Sequence, residues 1–171
     1  TNDEWTATID NGGYIADLYN DSDGHENVLD RGSLAVDSSG TVYVAVKNSY
    51  YEYGIYLLRV TESANEVWDT WSGSWIDAPT YRSAYPISSE DGGGWDYAYF
   101  SGLCIDAADR VFLPFVEDDG GGTRNLYLAR YDGFVVGLWD VDAADWTSTV
   151  GDGDPRDAST GFSVSYVAPP V

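Results

Sequence analysis

The chain repeats itself, and this limits its fold more than any other feature. Leu34-Ala35-Val36-Asp37-Ser38-Ser39-Gly40-Thr41-Val42-Tyr43-Val44 returns 69 positions later as Leu103-Cys104-Ile105-Asp106-Ala107-Ala108-Asp109-Arg110-Val111-Phe112-Leu113. Ile55-Tyr56-Leu57-Leu58-Arg59-Val60 returns after 71 positions as Leu126-Tyr127-Leu128-Ala129-Arg130-Tyr131. Trp68 and Trp75 return as Trp139 and Trp146, again after 71, and Trp5 precedes Trp75 by 70. The changes of offset place insertions in the connecting loops. Units of this kind cannot bury their apolar faces alone and stack on their neighbours. Phe162-Ser163-Val164-Ser165 reads as the opening of a further copy. The expected organisation is a repeat tail with an acidic loop at 1–30, a first core at 31–74, and a linker or insert at 75–101. A second core at 102–145 follows, then a linker and the first strand of a third repeat at 146–171.

Each unit decomposes into short strands. Residues 33–37 and 41–47 flank the turn cluster Asp37-Ser38-Ser39-Gly40 and predict a hairpin. Residues 54–60 and 66–71 supply a third and fourth strand. The second unit offers 102–106, 110–116, 125–131 and 137–141. No window carries a helical period. The expected fold is therefore all-β: antiparallel four-stranded β-propeller-type blades, two full repeats with partial terminal repeats.

The Asp37-x-x-Gly40-x-Val42-Tyr43-Val44 hairpin, the strand Ile55-Tyr56-Leu57-Leu58-Arg59-Val60 and Val67-Trp68-Asp69-Thr70-Trp71 carry a resemblance. Over roughly residues 30–145 the chain is similar to β-propeller repeats of secreted microbial proteins, the bacterial β-propeller repeat and sialidase-like repeat families. It departs from the sialidase Asp box, Ser-x-Asp-x-Gly-x-Thr-Trp: Tyr43 stands in the aromatic place, and the second copy puts Asp109 where glycine belongs. The resemblance thus implies architecture and carries no catalytic residue across. Propellers have ~4–8 blades. Two and a half blades do not close one, so the chain is expected to belong to a longer propeller or to assemble with its own copies into a ring or fibre.

Charge narrows the partners. Of 171 residues 29 are acidic and 8 basic, a formal charge of -21. Such a field repels a phosphate backbone and excludes nucleic-acid binding through phosphate contacts; it also opposes docking on anionic lipid. No apolar run is long enough to span a bilayer, so no membrane insertion is expected. A carboxylate-rich, lysine-poor surface fits solvation first, a high-salt habitat second and calcium loading third. The absence of methionine and the sequon at Asn20-Asp21-Ser22 point to export, secreted or at the cell surface, with Asn20 a glycosylation candidate.

Calcium is the one cofactor considered. Its candidate ligands are Asp21, Asp23 and Glu26 in one acidic loop and Asp152, Asp154 and Asp157 in another, with Glu117-Asp118-Asp119 a third cluster. Tyr50, Tyr51 and Tyr53, with Trp95 and Tyr97, are candidates for stacking on a sugar ring or for an interface. Catalysis has little to stand on: there is one histidine, His25, and no Gly-x-Ser-x-Gly or phosphate loop. The one cysteine, Cys104, reads as a small buried hydrophobe on an inner strand. Trp68 and Trp139, at matching repeat positions, are both expected to be buried between blades. Residues 161–167, apolar at Phe162, Val164 and Tyr166, are expected to pair with a strand of a neighbouring chain or of sequence beyond this one. The expected function is a non-enzymatic exported structural or adhesive repeat protein that assembles with itself through strand contacts. The alternatives are an oligomeric propeller lectin binding glycans, or a piece of a propeller glycoside hydrolase.

Overall fold

Val42-Tyr43-Val44-Ala45-Val46 is apolar at every position, which suits a strand covered on both faces. The computed structural model describes residues 32–48, 54–78, 84–88, 99–100, 102–118, 124–148 and 162–164. In it this run is the second strand of a five-stranded antiparallel meander. The strands are β1 (Gly32–Val36), β2 (Val42–Asn48), β3 (Gly54–Val60), β4 (Asn65–Asp69) and β5 (Ser74–Asp77), neighbours in that order.

A second sheet follows. It contains β6 (Tyr99–Phe100), β7 (Cys104–Ile105), β8 (Val111–Asp118), β9 (Arg124–Tyr131), β10 (Val136–Asp140), β11 (Asp145–Ser148) and β12 (Phe162–Val164). Strands β8 to β11 repeat β2 to β5. The short β6 and β7 share one edge of β8 and together take the place of β1. The described residues are thus all-β, as the short strands and turn clusters predict, and none of their helices is long and apolar enough to cross a membrane.

The hairpin turns form as the Asp-led clusters require. Asp37 Oδ1 accepts the N–H groups of Ser39 and Thr41, each at 2.9 Å. Asp106 Oδ1 does the same for Ala108 and Arg110, at 2.9 and 3.0 Å. Each turn needs one residue at positive φ. Gly40 fills that place in the first (φ 88) and Asp109 in the second (φ 59), aspartate being among the few side chains that tolerate it.

One core lies between the sheets. The first sheet contributes Tyr43, Ala45, Ile55, Leu57 and Trp68; the second contributes Val111, Leu113, Phe115, Tyr127, Ala129, Tyr131, Val136 and Leu138. Burying a large apolar side chain stabilises by ~1.5–3 kcal/mol, so this layer is the main tie between the units. A smaller cluster on the first sheet's other face joins Val46, Tyr56, Leu58, Val67 and Ala84.

The structure corrects several expectations. The units are wider than four strands: Ser74–Asp77 and Asp145–Ser148 add a fifth strand, pairing Trp75 with Trp68 and Trp146 with Trp139. Phe162–Val164, expected to pair with a neighbouring chain or with sequence beyond this one, has a partner strand within the chain. It runs antiparallel to β9, with Phe162 opposite Leu126 and Val164 opposite Arg124. The reason is length: β10 pairs only with 129–131 of β9, which leaves 124–126 an open edge. Residues 87–88 treat β3 in the same way, Ile87 N–H donating to Ile55 O and Ile55 N–H to Ser88 Oγ, both at 2.8 Å. Phe162-Ser163 therefore matches Ile87-Ser88 and closes the second unit rather than opening a third. Tyr166 lies outside the described residues. Cys104 is exposed, because β7 is a two-residue edge strand on which Ile105 turns to the core and Cys104 away from it.

Candidate functional site

The most developed side-chain arrangement is an aromatic box on the first sheet. Trp68 and Trp75 face each other across β4 and β5, 5.4 Å apart at 77°. Tyr43 from β2 reaches Trp75 at 6.3 Å. The Arg59 guanidinium lies 4.5 Å above the Trp75 ring, and Glu66, opposite Arg59 on β4, accepts its Nε–H at 2.8 Å. Tyr131 of the second sheet fills the box, 5.3 Å from Trp75 at 90°, 5.7 Å from Trp68 and 6.0 Å from Tyr43. Aromatic pairs of this geometry contribute ~0.5–1.5 kcal/mol each beyond their burial. Burial, the nearby Asp37 charge and Tyr131 push the Tyr43 hydroxyl up to about 12.

The second sheet carries the same box at the matching positions. Trp139 and Trp146 are 5.4 Å apart at 70°, Phe112 is 6.2 Å from Trp146, and the Arg130 guanidinium lies 4.1 Å above Trp146. This second box is on the face turned away from the first sheet, since Val111, Leu113 and Leu138 hold the inward face. Trp68 is 1% exposed, whereas Trp139 is only half-buried, contrary to the expectation that both would be buried. Gly137 replaces Glu66 opposite Arg130, and Arg130 Nε is buried without a hydrogen-bond partner. The contact between units is therefore head to tail: one face of the first meets the opposite face of the second.

The hairpin turns add a polar link. Asp109 Oδ1 accepts the Ser38 N–H at 2.9 Å, and its other oxygen accepts the Ser38 hydroxyl. This gives the substitution of aspartate for glycine a purpose: its carboxylate caps the neighbouring unit's turn. Ser33 Oγ accepts the Leu103 N–H at 2.7 Å beside it. Partial burial alone would raise the Asp37 carboxyl, but the hydrogen bonds from Ser39 and Thr41 outweigh it and hold the group below its usual value. Asp106 is held low by Arg110.

Asn20, Asp21, Asp23, Glu26, Tyr50, Tyr51, Tyr53, Trp95, Tyr97, Asp152, Asp154 and Asp157 lie outside the described residues. Among the described residues no group of three or more His, Cys, Asp or Glu side chains could hold a metal ion. Sequence reasoning found Trp68, Trp75, Trp139 and Trp146 by their spacing. It missed Tyr131 as the insert, although the Val60-to-Tyr131 change within the repeat was visible. Comparison with family models, with characterised proteins and with solved structures returns no match.

Proposed function

We propose that the chain is a non-catalytic structural repeat segment of the β-propeller type, exported, whose units stack face to face in an extracellular or cell-surface assembly. The observation that carries this reading is the head-to-tail packing of its two units. A head-to-tail contact leaves the same kind of surface free at its end, so it continues until the rotation closes a ring or a fibre grows. The second box, Trp139, Trp146 and Phe112 with Arg130 over Trp146, offers to a further unit the rings that the first box offers to Tyr131. The contact is through sheet faces.

Sedimentation across salt concentrations tests the reading. At -21 per copy, repulsion opposes association and added salt screens it. The expected result is particles heavier than 18.7 kDa that grow with salt and shrink when Trp146 becomes Asp. An intact chain that sediments as a monomer at every salt concentration and protein concentration would overturn it.

A further inference from the structure

Trp71 and Tyr85 form a surface feature that the repeat does not explain. Trp71 is 54% exposed and Tyr85 36%, their ring centroids 5.5 Å apart and their planes 31° from parallel. The counterpart of Trp71 in the second unit is Asp142, so the indole is not needed for stacking units.

The backbone beneath the pair is fixed by two buried residues, Asp69 and Thr70. Asp69 Oδ2 accepts the Ser72 N–H at 2.9 Å, and Asp69 Oδ1 accepts the Tyr85 N–H at 2.8 Å. Thr70 N–H donates to Tyr85 O at 3.2 Å and Thr70 Oγ1 to Pro86 O at 2.8 Å. Both Asp69 and Thr70 are buried. The two rings are thus set on a rigid frame before anything binds, which lowers the ordering cost of binding. Close by in sequence, the exposed hydroxyls of Ser72 and Ser74 share a hydrogen bond of 2.8 Å.

We propose that Trp71 and Tyr85 are a binding platform for a neutral saccharide. A pyranose has an apolar C–H face that stacks on exposed aromatic rings, and a hydroxyl rim for which the exposed hydroxyls of Ser72 and Ser74, close to Trp71 in sequence, are hydrogen-bonding candidates. The net charge of -21 selects against uronate, sulfated and sialylated glycans. The pair has no counterpart in the contact seen between the two units, where Asp142 stands in place of Trp71, so it stands or falls independently of the assembly reading.

The test is calorimetric titration and a glycan array with neutral β-1,4-linked glucose and N-acetylglucosamine hexamers, against a sialylated glycan as control. The wild-type chain is expected to bind a neutral hexamer saturably and the sialylated glycan not at all. Trp71→Ala and Tyr85→Ala are expected to weaken binding at least tenfold with an unchanged melting temperature, and Trp71→Phe to retain part of it. No saturable binding to any neutral hexamer at millimolar concentration, or binding untouched by Trp71→Ala, overturns the site. So does Trp71→Ala altering particle mass while sugar binding persists, since the pair would then be a contact between copies. Trp146→Asp, which tests assembly, is expected to leave sugar affinity within twofold.

Discussion

Leu34 and Val36 in the first sheet are 60% and 52% exposed, whereas their counterparts Leu103 and Ile105 pack against the core. The residues are chemically alike and stand at the same place in the repeat. What differs is the side on which the partner sheet lies. Leu34 and Val36 share a face with Val44 and Val42, the side away from the second sheet. Ile105 pairs with Val111, which faces the first. Burial in a repeat is thus a property of the stack and not of the unit.

The largest effect that sharpens this comparison is at the paired tryptophans. Trp68→Ala should cost ~3–5 kcal/mol in chemical denaturation, as large core truncations do. Trp139→Ala, at the matching but half-buried place, should cost the isolated chain about half as much. Equal losses would break the asymmetry.

Gly54 comes next. A Cβ there would lie 2.5 Å from Pro86 Cβ, so Gly54→Ala should destabilise by ~1–3 kcal/mol through overpacking. Its counterpart Asn125 already carries a side chain, and Asn125→Ala should stay within roughly 0.5 kcal/mol. The turn link is smaller. Asp109→Gly keeps the positive-φ turn but removes the acceptor for two Ser38 donors and should cost about 1 kcal/mol, with Asp109→Ala costing more because alanine is strained at φ 59.

Titration separates the sheets at high pH and unites them at low pH. Tyr43 rises to about 12 in the folded chain against 10.0 unfolded, so its contribution is intact below pH 10.0 and is lost as pH climbs toward 12. Tyr43→Phe, which copies Phe112, should remove that base-induced loss in melts followed against pH. Asp37 and Asp106 are both held below the ordinary carboxyl value, so each stabilises the fold above pH ~4 and ceases to as pH falls through its lower folded pKa. Replacing either by Asn should flatten the acid limb of the stability profile.

The repeat, the hairpins and the tryptophan positions were legible because spacing and alternation are local. The fifth strand was not, because Ser72-Gly73-Ser74 reads as the start of a loop while Trp75 in fact pairs back onto Trp68. Which face turns to the partner was hidden for a different reason. A strand such as 42–46 is apolar on both sides, so alternation gives no direction. The site at Trp71 and Tyr85 depends on a contact across 14 positions that only the buried Asp69 makes intelligible.

The central claim is that Tyr131 of the second unit occupies the aromatic box of the first. A double-mutant cycle between Tyr131→Leu and Trp75→Leu, read by equilibrium denaturation, tests it most directly. A coupling of ~1 kcal/mol is predicted from the 5.3 Å edge-to-face contact, with none between Val60→Ala and Trp146→Leu at the matching positions. Additive losses for Tyr131 and Trp75 would contradict the head-to-tail packing.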